Sequence, residues 1–311
     1  TENGMNTATD TPARAGTDPS PSMSRRWIGL LRSPEWLGLT VLLLFTLMAV
    51  LGYGIFALHP HLMPESPAVR RFYASSFQLF ARAHIILSAV VLAIPLLLQA
   101  RLRWVGAFAA VAAVSFLSEF LGTGYGFPFG AYEYSSLLGY KLGGRVPAVI
   151  PLSWFLMALP SWAMANVVFP GREGFWGRIL LASYLLTAWD LALDPAMSFL
   201  TPYWIWEATG PYYGMPWVNL AGWMGTGIVL MVLMELLGAR NWGPTLSVPW
   251  LSAYYAVVLL MPLGMLAAAG LWLGVVVTAA ALGLVLGLHL ALRARRATSA
   301  APALAGERLA S

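Results

Sequence analysis

Between about positions 36 and 292 the chain is a succession of apolar runs, most near the roughly 20 residues that a helix needs to cross a bilayer core. A backbone in hydrocarbon must satisfy its own hydrogen bonds, so such runs fold as helices, and the alternating pattern of a membrane barrel is missing. With 59% hydrophobic residues, 10% charged residues and a mean hydropathy of +0.71, an ordinary soluble domain is excluded. The fold class read from this pattern is all-α, a polytopic transmembrane helical bundle. Spans are expected near 36–58, 79–99, 104–121, 147–169, 179–198 and 218–238. The stretch 250–292 is too long for one span, and Gly264 to Gly274 offers a turn between two short helices, giving eight spans.

The cationic residues test that count. With eight spans, Arg25, Arg26, Arg32, Arg101, Arg103, Arg172, Arg178, Arg240, Arg293, Arg295 and Arg296 fall on one side, and Arg70, Arg71, Lys141 and Arg145 fall opposite. The asymmetry predicts both termini in the cytoplasm, for an integral protein of the bacterial cytoplasmic membrane; seven spans would send the Arg293–Arg296 cluster outward. Residues 1–24, rich in Thr, Pro, Ser and Asp, are expected to form a disordered N-terminal lead without the layout of a cleavable signal. Residues 25–292 then form the transmembrane domain and 293–311 a disordered C-terminal tail. The absence of cysteine excludes disulfides, thiolate chemistry and cysteine-ligated metal. The net charge of +5 is an orientation signal, with no basic surface domain to support nucleic-acid binding.

Carboxylates inside or beside apolar runs are costly unless paired, hydrogen-bonded or facing a protein-lined cavity, so each is a candidate for function. Glu119 ends the third span, and Asp190 and Asp194 lie in the second half of the fifth. Four residues apart, the two aspartates share a helical face. Close carboxyls cannot both ionise cheaply, which is how a protein keeps a proton at hand near neutral pH. On a structural reading these acids instead pair with Arg82 or His84 of the second span, or cap helix ends. His59 and His61 have the spacing of a metal pair, but four histidines are too few for a di-iron membrane oxygenase, and no metal site is expected. Glu235 is expected to pair with Arg240 or meet the membrane interface, away from the other acids.

Gly122, Gly124, Gly126 and Gly130, with Pro128 among them, interrupt any regular helix, so a loop folding back over the bundle is expected. Tyr125, Tyr132, Tyr134, Tyr203, Trp204, Trp206, Tyr212, Tyr213 and Trp217 crowd the same side. They form either an interfacial belt or the lining of a slot for a long apolar ligand, where aromatic faces also stabilise positive charge. The sequence lacks a phosphate loop, a dinucleotide fingerprint and a serine nucleophile in a GxSxG context. The paired aspartates do not form the repeated Asp-rich motifs expected for magnesium-bound prenyl diphosphate.

Glu119–Gly122, Gly126–Tyr134, Pro151–Trp154, Thr187–Pro195 and Trp204–Trp217, followed by Asn219 and Gly222–Trp223, together resemble the membrane-bound carotenoid hydratases. The resemblance covers roughly residues 36–290. It implies addition of water across the terminal isopropylidene double bond of an acyclic carotenoid end, leaving a tertiary alcohol. The implied partners are an acyclic or monocyclic carotenoid, water, membrane lipid and other enzymes of carotenoid biosynthesis, with no cofactor. An unactivated trisubstituted alkene needs a positioned acid, and the tertiary cation it forms needs a carboxylate and aromatic faces nearby. Asp190 or Asp194 is expected to serve as general acid, its partner as the base that orients water, and Glu119 as a cation-stabilising or proton-sharing residue. Tyr132, Glu207, Tyr212, Trp217, Asn219 and Trp223 are the expected substrate-binding residues. A membrane prenyltransferase or carotenoid cyclase would also manage carbocations. A non-enzymatic carotenoid binder or transporter is the remaining alternative.

Overall fold

The computed structural model describes residues 33–309. The expected lead 1–24 and Arg25, Arg26 and Arg32 lie outside the described residues. Nine helices and four short strands follow one another among those residues. Helix α1 is Pro34–Gly52, α2 Pro67–Pro95 and α3 Val105–Tyr125. Strands β1 (Tyr132–Tyr134), β2 (Lys141–Leu142) and β3 (Val146–Pro147) precede α4, Val149–Val168. Helix α5 is Phe175–Asp194, β4 Trp204–Trp206 and α6 Trp217–Leu236. The short α7 (Ala239–Trp242), α8 (Val248–Ala268) and α9 (Trp272–Leu309) complete the chain. Wide helical turns extend α1 through Ala57, α2 through Ala100 and α5 through Phe199.

Eight of these helices are long and apolar enough to cross a membrane, from Pro34–Ala57 to Trp272–Arg296. Their limits fall close to those read from the apolar runs, because length and hydropathy are local properties. The expected turn between Gly264 and Gly274 is narrower than its bounds. Gly264 lies inside α8, and the break is at Ala269–Leu271, where Gly270 takes φ 72°. Both flanking helices are full spans instead of short ones. Position 293, the expected end of the bundle, lies inside α9. The segment read as a disordered tail is therefore helical backbone as far as Leu309, in keeping with its alanine and arginine content.

The bundle is built around α4 and α5. In their apolar windows 72% of residues are buried, against 22% in the first span and 11% in the last, so α1 and α9 are peripheral. Helix α5 packs chiefly on α6 and α4, and α8 closes the core against α1 and α4. Tyrosine hydroxyls tie helices together through backbone carbonyls: Tyr255 donates to Leu185 O at 2.8 Å and Tyr254 to Ser88 O at 3.1 Å.

One end of the bundle gathers basic residues. Arg178 and Arg240 approach Glu235 there, and Arg296 Nη2 donates to Val168 O at 2.7 Å. The segment after α3 folds back over the other end, as its glycines predict. Gly126 ends α3 in the left-handed region at φ 71°. The returning Phe129 packs against Gly222 of α6, where a Cβ would stand 2.7 Å from the Phe129 ring and 2.7 Å from Pro128 O. β1 pairs antiparallel with the distant β4, in register Tyr132 with Trp206 and Tyr134 with Trp204.

Candidate active site

Asp190 and Asp194 lie one turn apart on the buried face of α5, each 1% exposed. Asn219, in the first turn of α6, bridges them. Its Nδ2 stands 2.8 Å from Asp190 Oδ2 and 3.0 Å from Asp194 Oδ2, with Met215 Sδ also at 3.0 Å, so one amide group links the two carboxyls. Asp194 Oδ1 accepts further from Ser198 Oγ at 2.7 Å, Trp206 Nε1 at 3.1 Å and Trp204 Nε1 at 3.4 Å. Asp190 Oδ1 is buried and has no hydrogen-bond partner among the described residues.

Glu119 reaches the same space from α3. Tyr134 donates to its Oε2 at 2.8 Å, Tyr132 donates to the same oxygen, and Trp154 Nε1 of α4 donates to Oε1 at 2.9 Å. The alternation of a strand explains this arrangement. Side chains at i and i+2 share one face, so Tyr132, Tyr134, Trp204 and Trp206 point inward from the β1–β4 pair, while Glu133 and Ile205 point out. This two-stranded lid therefore delivers two phenols to Glu119 and two indoles to Asp194. Burial first, and then the charge of Glu119, raise both phenols well above their ordinary value, so they remain protonated donors.

The three acids, Asn219, Tyr132 and the indoles line one partly open cavity. Aromatic faces form its other wall. Trp154 and Trp223 stack with centroids 4.1 Å apart at 18°, and Trp189 meets Trp223 edge-on at 5.9 Å. The donors described on these acids, among the described residues, are neutral hydroxyls, indoles and an amide. His84 bonds Thr46 Oγ1 at 3.0 Å, and Arg82 has its guanidinium beside Gly139. The arrangement brings three carboxyls to one aromatic-walled space, where a proton can be shared among them.

Of the expected residues, Asp190, Asp194, Glu119, Tyr132, Asn219 and Trp223 line this cavity. Glu207, Tyr212 and Trp217 do not. Glu207 is exposed just past β4, where its N–H caps the strand pair by donating to Ala131 O at 3.0 Å. Trp217 is 60% exposed. Tyr212 is occupied by a backbone defect: Pro195 has no N–H for the carbonyl of Leu191, and the Tyr212 hydroxyl supplies that donor at 2.8 Å. Sequence reasoning assigned no site role to Trp154, Trp189 or Ser198, and placed Tyr134, Trp204 and Trp206 only in an aromatic crowd. The signal for the last three was the alternation Tyr-Glu-Tyr and Trp-Ile-Trp. Glu235 makes the expected ion pair with Arg240, at 3.8 Å, and a closer one with Arg178, at 2.5 Å, that the sequence did not suggest.

Comparison with known proteins bears on this site. A segment of this chain is 32% identical over 131 residues to bisanhydrobacterioruberin hydratase of Haloarcula japonica, covering 42% of this chain and 44% of that relative. The match thus spans less than half the length of the curated relative. No solved structure matches the chain. Residues 80–287, more than half of the sequence and including every residue that lines the acid cavity, match the family described as carotenoid biosynthesis protein. The chain, an integral membrane protein by its eight apolar helices, belongs to the carotenoid biosynthesis protein family.

Proposed function

We propose that the protein is a carotenoid hydratase that adds water to the terminal double bond of an acyclic carotenoid end group. One observation carries this reading: three buried carboxyls, supplied with neutral donors, face an aromatic-walled cavity. Such a site suits a reaction whose only transient charge is positive and is created inside it.

Asp194 and Glu119 accept several donors each, whereas Asp190 keeps one oxygen without a partner among the described residues, free to carry and present a proton. Asp190 is therefore assigned as the acid. Its proton goes to the CH carbon of the isopropylidene group, the alkene electron pair forms the new C–H bond, and positive charge develops on the carbon bearing two methyls. The Trp154, Trp189 and Trp223 faces and the Glu119 charge stabilise that cation. A water oxygen then bonds to it, and the proton that water loses goes to Asp194. Its passage to Asp190 across the coupled pair restores the starting state, and one water has been added overall. Asn219, bonded to both aspartates, sets their spacing.

Three donors from two segments, β1 and α4, fix Glu119 before substrate arrives, so the carboxylate needs no reorganisation as charge develops. The membrane is assigned as the bacterial cytoplasmic membrane, with both termini on the cytoplasmic side and the acid cavity near the opposite face, a placement supported by the basic end of the bundle.

The test is product analysis after incubation of purified protein with acyclic-ended carotenoids in isotopically labelled water. One labelled oxygen per hydrated end is expected, on the carbon bearing the methyls. No incorporation with any such substrate would defeat the reading.

A further inference from the structure

The acid cavity does not stand alone. Ile150, Ser153, Trp189, Leu193 and Trp204 belong both to it and to a second cavity. That cavity in turn shares Ala81, Met197, Tyr203 and Met261 with a third, larger one, which lies between α1 and α2. Residues of α2 line this series one turn at a time, through Ser88, His84, Ala81, Ser76 and Tyr73. Fifteen residues of helix at 1.5 Å each make this wall roughly 22 Å long. At its far end Phe72 and Met48 are 69% and 53% exposed on the flank of the bundle, and a Cβ placed on Gly52 would meet no atom within 4 Å.

Resting on the hydratase reading, we propose that these cavities form one conduit for the body of an extended isoprenoid chain. One acyclic end of the chain reaches the acids, and the rest leaves through a lateral mouth between α1 and α2 into lipid. A compact ligand would need only one chamber, whereas three in series match a long linear one. The walls match a stiff polyene in kind: Met157, Met197 and Met261, then Met48 and Met265, are adaptable thioethers that can settle against a flat rigid chain. Ala81 lines both the second and the third chamber, so a large side chain there would fall where the two meet.

A rival route exists in the groove lined by Ala93, Leu96, Trp104, Phe108 and Leu152, between α2, α3 and α4. It shares only Leu156 with the second cavity and no wall residue with the acid cavity, so it offers no comparable continuity.

The conduit has a consequence for specificity. The enzyme inspects only the end that lies at the acids, because the far end is outside the protein. A carotenoid with two acyclic ends is therefore hydrated one end per visit, and the singly hydrated product must leave and return reversed.

Ala81→Phe would block the junction, Gly52→Phe the mouth and Ala93→Phe the rival groove. Each variant and the parent protein are purified in detergent and loaded with an acyclic carotenoid. Bound pigment is read by absorbance, turnover is read with labelled water, and a short acyclic isoprenoid hydrocarbon that fits the acid cavity alone is assayed in parallel. A81F and G52F are expected to lose at least about tenfold in pigment affinity and carotenoid turnover while still hydrating the short substrate, and A93F to behave as the parent. Carotenoids altered only at the far end should be turned over within a few-fold of one another.

Normal pigment binding and turnover in both A81F and G52F overturn the conduit, as does loss confined to A93F. The same holds if G52F, well away from the acids, retains full carotenoid turnover while A81F loses both substrates. Displacement of co-purified phospholipid in place of pigment by G52F would make this a lipid site and also end the proposal. Should the parent hydrate nothing, the hydratase reading fails, and the pigment-binding comparison still decides the conduit.

Discussion

Two buried carboxylate sites occupy opposite ends of the bundle, one with three acids and one with Glu235 alone, and α4 contributes a tryptophan to each. Trp154 donates to Glu119, and Trp162, eight residues on, donates to Glu235 at 2.8 Å. Around Glu235 the charge is cancelled. Arg178 binds it through Nε at 2.5 Å and Nη2 at 3.1 Å, and spends Nη1 on Phe169 O and Gly171 O. Around Glu119, Asp190 and Asp194 the donors are neutral, and the carboxyls line open space. A carboxylate closed by a guanidinium is a fastening, because its charge has already found its partner. Carboxyls held by phenols, indoles and an amide keep their proton or charge for a visitor.

The largest effect expected at the neutral-donor end comes from Asp190→Asn and Asp194→Asn. An amide keeps the size and some of the hydrogen bonding but cannot deliver or receive the acidic proton, so turnover should fall roughly a hundredfold to ten-thousandfold. The protein should remain in the membrane. Rates are compared on matched folded protein with labelled water, and near-normal turnover in both variants would make the pair structural.

Glu235→Gln should show the opposite profile. It leaves the Arg178 guanidinium buried and uncompensated, a loss of roughly 3–5 kcal/mol in stability. Turnover per folded molecule should nevertheless stay near that of the parent. Thermal unfolding in detergent together with specific activity separates the two, and unchanged stability would break the contrast.

Smaller effects follow at the donors. Tyr134→Phe and Trp154→Phe each remove one hydrogen bond from Glu119, worth about 1.5–3 kcal/mol to a charged acceptor, so turnover should fall by about tenfold to a hundredfold. A loss confined to KM would instead mean that these side chains only shape the cavity.

The smallest effect is a pH dependence. The phenols of Tyr132 and Tyr134 are raised above the reference value of 10.0 by burial and then by Glu119. Below that value the folded and unfolded chains hold the same phenolic protons. As pH rises beyond it, the unfolded chain loses protons that the folded chain keeps, so stability falls by up to about 1.4 kcal/mol per phenol per pH unit. Alkaline unfolding followed by tyrosinate absorbance should therefore be shallower in Tyr134→Phe. An unchanged slope would show that this phenol is not held protonated by the fold.

Much of this was legible in the chain. Apolar run length gave the eight spans, and the spacing of Asp190 and Asp194 placed them on one face, because helix periodicity is a local property. Glu207 was misplaced for the same reason that Trp206 is at the site. The strand alternation carries Trp206 inward, and the chain turns away one residue later.

The sequence by itself determined what can be decided within about one turn of backbone: a membrane setting, the helix count, the glycine-rich return over one end and a pair of carboxyls that must share a face. The tertiary structure decided which distant groups meet. Tyr132 finds Trp206 across the bundle, Glu119 joins Asp190 through the packing of α3 and α6 around Phe129, and Arg178 reaches Glu235. The reason is physical: buried polar groups must all find partners, and that requirement is met by the whole packed bundle at once and by no single segment.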